Sequence, residues 1–291
     1  MLIDLQLHST YSDGYLSPTE VVQFISKLGV KIASLTDHNT ISGQNEFKRA
    51  CQKYNIKAIV GLELYVKLNN KKLNILWYNF DDTSPELHKI LRDSQRRRRG
   101  RVRAILEQLA LNGFKIEVDK IIDKYNHYVP INHIIDDIMS NPLNRLKIAK
   151  ETNSKNPRED EIIRKLFHNN KYGHLHESYI NIFRILKLRK KIGGQLILNH
   201  PAKYGYVQKD FLEKIKKLGL DGIEVLSPHH SVGAIMYLQF CARELDFVAT
   251  GGSDFHLFEG QRAPIQNSWQ YFKINSKYLR KINKIIDKTE T

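Results

Sequence analysis

Short apolar segments alternate with helical patterns near both ends of this 291-residue sequence, and this alternation constrains the fold more than any other feature. Apolar, strand-like segments are predicted at residues 3–7, 32–36, 56–63, 73–80, 195–199, 222–226 and 247–250. Helical periodicity is predicted between them at residues 19–28, 43–54, 208–218 and 233–245. Such alternation favours a sheet or barrel of parallel strands with helices packed on its outside.

A helix-rich, charged and asparagine-rich region separates the two alternating parts. Because the second part resumes the pattern of the first, the sequence predicts one α/β barrel interrupted by a mainly helical insert. The predicted divisions are residues 1–82 for the first part of the barrel, 83–178 for the insert, and 179–291 for the second part with a C-terminal basic helix.

The composition favours an anionic partner. The sequence has 46 Lys and Arg against 31 Asp and Glu, a net charge of +15, which suits a nucleotide or nucleic acid, although lysine-rich composition also serves solubility. No apolar run approaches the roughly 18 residues of a membrane span, and the start MLIDLQLHS lacks signal-peptide features. The two cysteines form no Cys-x-x-Cys pair. A cytoplasmic protein without membrane contact is therefore expected.

Side chains that can bind metals lie in or just after the predicted strands. They are His8, Asp13, Asp37, His38, Glu63, His200, Glu224, Asp254 and His256. The carboxyl ends of the strands of a β/α barrel meet at one rim, so these side chains are expected to lie together. Each alone has an ordinary explanation, such as a turn, a helix cap or a surface charge. Their recurrence predicts a metal site, and carboxylates mixed with imidazoles suit Mn, Fe or Zn.

Six motifs give a more specific indication. In chain order they read DLQLHSTYSDG, SLTDHNTISG, VGLELYV, LILNHPAKY, GIEVLSPHHS and TGGSDFHL. Together they resemble the motifs of the polymerase and histidinol phosphatase (PHP) family of metallophosphoesterases, especially its branch of nucleotide 3′,5′-bisphosphate phosphatases and 5′-to-3′ exoribonucleases. The resemblance implies a distorted (β/α)7 barrel with a helical insert and one to three divalent ions of Mn, Fe or Zn. It also implies hydrolysis of a nucleotide or oligonucleotide phosphate by a metal-bound hydroxide.

Carried over residue by residue, the resemblance implies three sets of metal ligands. They are Gln6, His8, Glu63 and Asp254; Glu63, Asn74 and His200; and Asp13, His38 and His256. Gln6 and Asn74 stand where the family has histidines, and a neutral amide oxygen is a poorer ligand than imidazole for Zn or Fe. We therefore expect fewer than three tightly bound ions, with the Asp13, His38 and His256 set retained best.

The resemblance also implies which side chains take part in catalysis. Asp254, His200 and His256 are the expected catalytic residues, and either histidine is suited to protonate the leaving oxygen. Asp37 is expected either to orient His38 or to cap a helix.

Three further residues are predicted to bind the substrate within or near the barrel. Lys203 stands where relatives often carry an arginine, and it is expected to bind phosphate. His230 is a second expected contact. His133 follows Ile131, which replaces an arginine of the related branch, and it is either a cleft residue or a structural one.

These departures leave a second interpretation open. A degenerate family member with reduced or no catalysis would bind a nucleotide, a nucleic acid or a protein partner. Gln6, Asn74 and Ile131 all favour it.

The insert begins with an arginine-rich segment. Residues 92–103 contain seven arginines and a single acidic residue, Asp93. On a helix, Arg92, Arg96, Arg99 and Arg103 share one side. A solvated helix face is the ordinary explanation, but the repulsion among these charges is easier to explain if a polyanion offsets it. Arg92, Arg96 and Arg99 are therefore predicted to bind single-stranded nucleic acid, and the oligomeric state is left open.

Overall fold

The computed structural model describes residues 1–257 and 273–287. Its strands are β1 (Leu2–Leu7), β2 (Ile32–Leu35), β3 (Lys57–Leu68), β4 (Lys71–Tyr78), β5 (His168–Asn169), β6 (Gly173–His174), β7 (Ile180–Asn181), β8 (Gln195–Leu198), β9 (Gly222–Leu226), β10 (Val248–Gly251) and β11 (Ile274–Asn275). Its helices are α1 (Pro18–Lys27), α2 (Gln44–Lys53), α3 (Pro85–Leu111), α4 (Val118–Lys124), α5 (Ile131–Ser140), α6 (Pro142–Thr152), α7 (Glu159–Phe167), α8 (Ile182–Ile192), α9 (Lys209–Leu218), α10 (Val232–Glu244) and α11 (Asn283–Ile286). Within these residues, no helix has both the length and the apolar character that crossing a membrane requires.

Seven strands form a nearly closed barrel, which confirms the predicted architecture. Their order is β10-β9-β8-β4-β3-β2-β1, and β11 pairs with the start of β1. The ring closes at one rim, where the Asp254 N–H donates to the Gln6 carbonyl at 3.1 Å and the His8 N–H donates to the Phe255 carbonyl at 3.1 Å. This closure brings the first and the last of the six motifs side by side.

Strand β4 departs from the parallel arrangement that the alternation predicts, because it runs antiparallel to both β3 and β8. Strands β3 and β4 pair from Leu68 opposite Lys71, and Asn69 in the turn between them has a φ of 52°. A two-residue turn can join only antiparallel strands, since a parallel connection needs a crossover of a dozen or more residues. Strand β3 also continues past Glu63, which lies within the strand and not at its end.

Helix α1 shows how the sequence fixes the elements that support the rim. Ser17 accepts a hydrogen bond from the Glu20 N–H while the Glu20 carboxylate accepts from the Ser17 N–H, and Pro18 occupies the first turn. This capping box satisfies N–H groups that the first turn would leave unpaired. The inner face of the helix is apolar, and Val21 and Ile25 are fully buried beneath β1 and β2.

The segment between β4 and β7 is mainly helical and has an apolar cluster of its own. Residues on α3, α5 and α7, such as Leu106, Ile134 and Leu166, are completely buried in this cluster. The first turns of α3 pack instead into the barrel cluster, through Leu87 and Ile90. Helix α3 therefore contacts both apolar clusters, and the chain returns to the sheet where β7 pairs with β3.

The predicted C-terminal basic helix falls only partly on described residues. A short helix, α11, covers Asn283–Ile286, and Ile285 and Ile286 are buried against the barrel. Residues 258–272 and 288–291 lie outside the described part of the chain.

Candidate metal centre

The barrel rim brings the predicted metal ligands into one cleft of about 530 Å³. The predicted ligands that line this cleft are Asp13, His38, Glu63, Asn74, His200, Asp254 and His256. His8 is completely buried beneath it, and its ring stacks on that of His256 with centroids 4.1 Å apart. Residues that are far apart in the sequence thus meet at the carboxyl end of the barrel, as the position of the motifs predicts.

Three imidazoles surround the Asp13 carboxylate. His256 Nε2 lies 3.3 Å from Asp13 Oδ1, His38 Nε2 lies 3.4 Å from Asp13 Oδ2, and His8 Nδ1 lies 3.7 Å from Asp13 Oδ1. Burial opposes ionisation of Asp13, but these imidazoles outweigh it and hold its pKa far below the usual range. Among the described residues, neither His8 Nδ1 nor Asp13 Oδ1 has a hydrogen-bond partner, although both atoms are buried. Buried polar atoms without a partner are uncommon and need an explanation, and a divalent transition metal bound by this donor set would supply one here.

The Glu63 and Asp254 carboxylates form the other half of the cluster, and protein donors reach all four of their oxygens. Gln6 Nε2 donates to Asp254 Oδ1 at 2.8 Å and to Glu63 Oε2 at 3.2 Å. Asn74 Nδ2 donates to Glu63 Oε1 at 2.7 Å, and His229 Nε2 lies 2.6 Å from Asp254 Oδ2. Burial opposes ionisation of both carboxyls, yet neighbouring histidines lower both pKa values well below normal. His8, Glu63 and Asp254 also lie close enough together to hold an ion, and His8 Nε2 is buried without a hydrogen-bond partner among the described residues. The Asp13 set fits an ion as it stands, whereas an ion between Glu63 and Asp254 would have to displace Gln6 Nε2.

Two other histidine environments complete the rim. Burial alone would lower the pKa of His8, but the Asp254 and Glu63 carboxylates, 3.1 and 3.3 Å from its Nε2, raise it well above the usual value. His200 Nε2 lies 3.7 Å from Glu63 Oε1, and the His200 N–H donates to the buried Glu224 carboxylate at 3.0 Å. His200 and Asp254 have φ angles of 24° and 51°, a backbone conformation that side chains other than glycine seldom adopt.

Asp37 holds the loop that carries Asp13, and neither expected role of Asp37 is observed. Its Oδ1 accepts from the Ser9 N–H at 2.8 Å and from Ser12 Oγ at 2.6 Å, and its Oδ2 accepts from Ser9 Oγ at 2.7 Å. The same loop requires glycine at position 14, because a Cβ there would lie 2.5 Å from the His8 carbonyl oxygen. His38 is instead oriented by stacking on Tyr65, with ring centroids 4.7 Å apart.

The start of α5 fastens the insert to this loop. Asn132 Nδ2 donates to the Asp13 carbonyl at 2.7 Å. His133 Nε2 lies 3.0 Å from the Gly14 carbonyl oxygen, and its ring stacks on Tyr15 with centroids 4.4 Å apart. Ile131 is buried in the insert's apolar cluster. His133 thus has partners that position the loop, and its contact with the substrate stays a prediction.

Lys203 and His230 have different environments. Lys203 lines the cleft, with Nζ 3.9 Å from Asp254 Oδ2. Burial lowers the pKa of Lys203, but Asp254 outweighs burial and the pKa is raised. His230 Nδ1 lies 3.0 Å from the Val225 carbonyl oxygen, and its Nε2 accepts from the Ala202 N–H at 3.3 Å. Backbone groups therefore engage both of its ring nitrogens, which fixes the loop that carries Lys203.

The cleft also contains residues that sequence reasoning missed. Lys72 and Tyr179 line it together with Tyr65, and Tyr204 stands at its edge with 93% of its surface exposed. Lys72 lies two residues before Asn74 in β4, so the alternation of side chains along a strand would have placed both on one face. His229 carries no such signal, because only the tertiary fold brings it to Asp254.

The arginine-rich segment forms part of α3, and most of its arginines bind the insert. Arg98 is buried, forms an ion pair with Glu177 and donates to the Val129 carbonyl at 2.8 Å. The other four that have partners are Arg97 with Ser178, Arg99 with Asp123 and the Tyr125 carbonyl, Arg101 with the His176 and Glu177 carbonyls, and Arg103 with Asp119. Arg92 and Arg96 are exposed, and no ion pair or hydrogen bond to them occurs within the described residues. The insert itself therefore offsets much of the repulsion that suggested a polyanion, and nucleic-acid binding by Arg92, Arg96 and Arg99 stays a prediction.

Comparison with known proteins identifies what this arrangement is similar to. A model of the PHP domain matches residues 4–172. The chain is 27% identical to a 5′-3′ exoribonuclease of Haemophilus influenzae, over 87% of this chain and 89% of the relative. It is 24% identical to a phosphoribosyl 1,2-cyclic phosphate 1,2-diphosphodiesterase of Eggerthella lenta (88% and 94%) and 25% identical to a 3′,5′-nucleoside bisphosphate phosphatase of Chromobacterium violaceum (87% and 87%). A solved structure from Bifidobacterium adolescentis, described as a metal-dependent phosphoesterase, has the same fold, with a TM-score of 0.75, 20% identity and coverage of 93% of this chain and 94% of that one.

Proposed function

Because this chain belongs to the PHP domain family, we propose that it is a metal-dependent phosphoesterase that hydrolyses a nucleotide or oligonucleotide phosphate. The observation that carries the proposal is the Asp13 cluster at the base of a cleft that two lysines line. His8, Asp13, His38 and His256 would hold a divalent ion, and such an ion supplies Lewis-acid stabilisation of the phosphoryl oxygens and a water of lowered pKa. The donor set suits Mn, Fe or Zn.

Lys72 and Lys203 would bind the phosphate that enters this cleft. Both line it, and the Lys203 ammonium group lies close to the base of the cleft, 3.9 Å from Asp254. Phosphoryl transfer depends mainly on positioning and on neutralising charge, so cationic side chains beside the metal ligands are the groups that this reaction requires. Lysine provides this charge without the bidentate geometry of arginine.

His200 would protonate the leaving oxygen. Its Nε2 lies at the cleft, 3.7 Å from Glu63 Oε1, and it is outside the Asp13 cluster. A histidine that is not committed to an ion can hold the proton that the leaving group needs. Asp254 would keep this part of the cleft in place through its contacts with His229 and Gln6.

The aromatic side chains of the cleft support a substrate that contains a base. Tyr65, Tyr179 and Tyr204 line the cleft or stand at its edge, and aromatic faces bind bases by stacking with little preference for sequence. The relatives whose names specify an exoribonuclease and a nucleoside bisphosphate phosphatase support the same substrate class. Binding without turnover is not favoured, since these relatives are named as enzymes. A cytoplasmic location fits such a substrate.

The test is product release from a panel of substrates with and without Mn²⁺. The panel contains nucleoside 3′,5′-bisphosphates, a ribose 1,2-cyclic phosphate and 5′-phosphorylated oligoribonucleotides. We expect phosphate or nucleotide release that requires Mn²⁺ and that chelation abolishes, with Lys203→Gln impaired and the surface variant Lys217→Gln unchanged. Folded, metal-loaded protein that binds these compounds and releases no product from any of them would contradict the proposal.

A further inference from the structure

We propose that the centre holds a single divalent ion, on His8, Asp13, His38 and His256, and that side-chain amides take the place of a second ion at Glu63 and Asp254. The amides are those of Gln6 and Asn74. This inference rests on the proposed function only in that both require a divalent ion, because the number of ions can be measured without turnover.

The space between the two carboxylates is already filled. Gln6 Nε2 lies 2.8 Å from Asp254 Oδ1 and 3.2 Å from Glu63 Oε2, which are the two oxygens that an ion between Glu63 and Asp254 would bind. Gln6 is completely buried, and a Cβ at Gly252 would lie 2.4 Å from its Cβ, so the backbone packs directly against it. An ion could enter only by displacing this side chain.

The orientation of the Gln6 amide follows from the charge around it. Two carboxyl oxygens, one of Asp254 and one of Glu63, lie 2.8 and 3.2 Å from Gln6 Nε2, and an N–H group is the end of an amide that a carboxylate binds. Turning the amide over would set its oxygen 2.8 Å from Asp254 Oδ1, where two acceptors repel each other. The N–H orientation is therefore the favourable one while no ion lies between the carboxylates.

Protein groups likewise reach the two outer oxygens. Asn74 Nδ2 donates to Glu63 Oε1 at 2.7 Å, and His229 Nε2 lies 2.6 Å from Asp254 Oδ2. The Lys203 ammonium group, 3.9 Å from the same Asp254 oxygen, adds a positive charge. Each carboxylate thus has a donor on both oxygens and a cationic or polar neighbour, so a second ion is not needed to compensate its burial.

In the Asp13 half, the possible ligand atoms are not all occupied by protein donors. In a tetrahedral site with ligands about 2.0–2.1 Å from the ion, ligand atoms lie about 3.3–3.4 Å apart. The Asp13 oxygens lie 3.3, 3.4 and 3.7 Å from nitrogens of His256, His38 and His8. His8 Nδ1 and Asp13 Oδ1 are buried and have no hydrogen-bond partner among the residues that the structure describes. The other half has similar spacing, with His8 Nε2 3.1 Å from Asp254 Oδ1 and 3.3 Å from Glu63 Oε2, and His8 Nε2 is also without a hydrogen-bond partner among the described residues. The two halves differ in their carboxylate oxygens, because Asp13 Oδ1 has no donor whereas protein donors already reach every oxygen of Glu63 and Asp254.

The test counts manganese ions by equilibrium dialysis of the full chain followed by elemental analysis. We expect one equivalent for the wild-type protein and two for Gln6→His/Asn74→His, in which the amides become imidazole ligands. Paired ions in that variant would also give an exchange-coupled Mn²⁺ resonance spectrum, which a single ion cannot give. Asp13→Asn should retain less than one tenth of an equivalent at the same free Mn²⁺ concentration.

Several outcomes would overturn the inference. Two or more equivalents in the wild-type protein would show that the amides admit a second ion, and an ion retained by Asp13→Asn would place it at Glu63 and Asp254. A folded Gln6→His/Asn74→His variant that stays at one equivalent would show that something other than the amides excludes the ion. If that variant does not fold, the Mn²⁺ content of the wild-type protein and of Asp13→Asn still decides how many ions bind and where. One bound ion without turnover would contradict the proposed function and leave this inference intact.

Discussion

The Asp13 cluster at the barrel rim and the arginine-rich segment of α3 both concentrate ionisable side chains, and they differ in whether their buried atoms have protein partners. At the rim, His8 Nδ1 and Asp13 Oδ1 are buried without a hydrogen-bond partner in the described part of the chain. In the insert, Arg98 is equally buried but is bound by Glu177 and by the Val129 carbonyl. Arg99 and Arg103 on the same helix are paired with Asp123 and Asp119.

This difference separates a ligand site from a structural network. A buried polar atom without a partner loses its bonds to water and gains none, so it costs stability and needs an explanation, of which a bound ion is one. A run of like charges has no such meaning, because nearby carboxylates and carbonyl groups can satisfy it. The seven arginines are the more conspicuous feature of the sequence, yet the small Asp13 cluster is the better indication of function.

The largest expected effect tests the structural role of Arg98. Arg98→Met keeps the length of the side chain but leaves Glu177 without its buried cation, and it removes the contact of the guanidinium with the Tyr128 ring, 4.1 Å away. Breaking a buried pair costs about 3–5 kcal/mol, and we expect about 3 kcal/mol because a quarter of the Glu177 side chain remains exposed. Chemical denaturation measures the change in free energy of unfolding.

The matched control for this prediction is Arg101→Met on the same helix. Arg101 is exposed and donates to the His176 and Glu177 carbonyls, so its loss should cost about 1 kcal/mol or less. Equal losses of stability in the two variants would mean that burial and pairing do not distinguish Arg98 from its neighbours. Mn²⁺ content should stay the same in both, since neither residue belongs to the rim.

A second, smaller effect is expected in the cleft. Lys203→Gln removes a cation that lies near the phosphate position, and we expect kcat/KM to fall by about 100-fold, or about 2.7 kcal/mol. Lys72→Gln should also lower kcat/KM, but by a smaller factor, because Lys72 lies at the cleft wall, with Nζ 5.5 Å from the centre of the Tyr179 ring. Steady-state kinetics with the best substrate of the panel measures both.

The control for the lysines is Lys217→Gln, which removes one exposed charge from α9 outside the cleft. Its kcat/KM should stay within about twofold of the wild-type value, since surface charges act weakly through solvent. A loss equal to that of Lys203→Gln would mean that the net positive charge of the protein, and not a phosphate position in the cleft, governs the reaction.

The sequence predicts the barrel well because its signals are local. Strand and helix periodicity place β8, β9 and α9 within one residue of their observed ends. The direction of β4 is not predicted, because the interval between the predicted third and fourth strands hides a two-residue turn at Asn69 and Asn70. The third strand is also predicted to end at Glu63, whereas β3 continues to Leu68, and this error hides the turn as well.

The candidate site is predicted less completely than the fold. Side chains that follow strands can be found from their position, and His8, Asp13, His38 and His256 were found in this way. Contacts between distant parts of the chain cannot be found from position, so nothing in the sequence indicates that His229 reaches Asp254 or that Asp37 binds Ser9. For the same reason the acidic partners of α3, such as Asp119 and Asp123, were not foreseen.

The smallest expected effect concerns the two arginines that the insert leaves exposed. Arg92 and Arg96 are one helical turn apart on α3, and Gln95 between them donates to the Asn39 carbonyl at 2.9 Å, so this turn of α3 lies beside the loop that carries His38. If each arginine contacts one phosphate of a single strand, Arg92→Gln/Arg96→Gln should reduce the slope of log K against log salt by about 1.4, at about 0.7 for each contact. Binding of oligoribonucleotides is measured at several salt concentrations, with a mononucleotide for comparison.

The matched control removes two exposed charges from another helix, as Arg184→Gln/Lys187→Gln on α8. This variant has the same net charge as Arg92→Gln/Arg96→Gln, so a difference between them reports position and not overall charge. An equal change of slope in both variants would mean that the exposed arginines only contribute to overall charge. The same conclusion would follow if Arg92→Gln/Arg96→Gln weakened the binding of a mononucleotide and of an oligonucleotide equally. Arg99→Gln should leave the slope unchanged in either case, because Arg99 already binds Asp123 and the Tyr125 carbonyl. A lower slope for Arg99→Gln would instead show that a polyanion displaces these partners, and the division between paired and unpaired arginines would no longer hold.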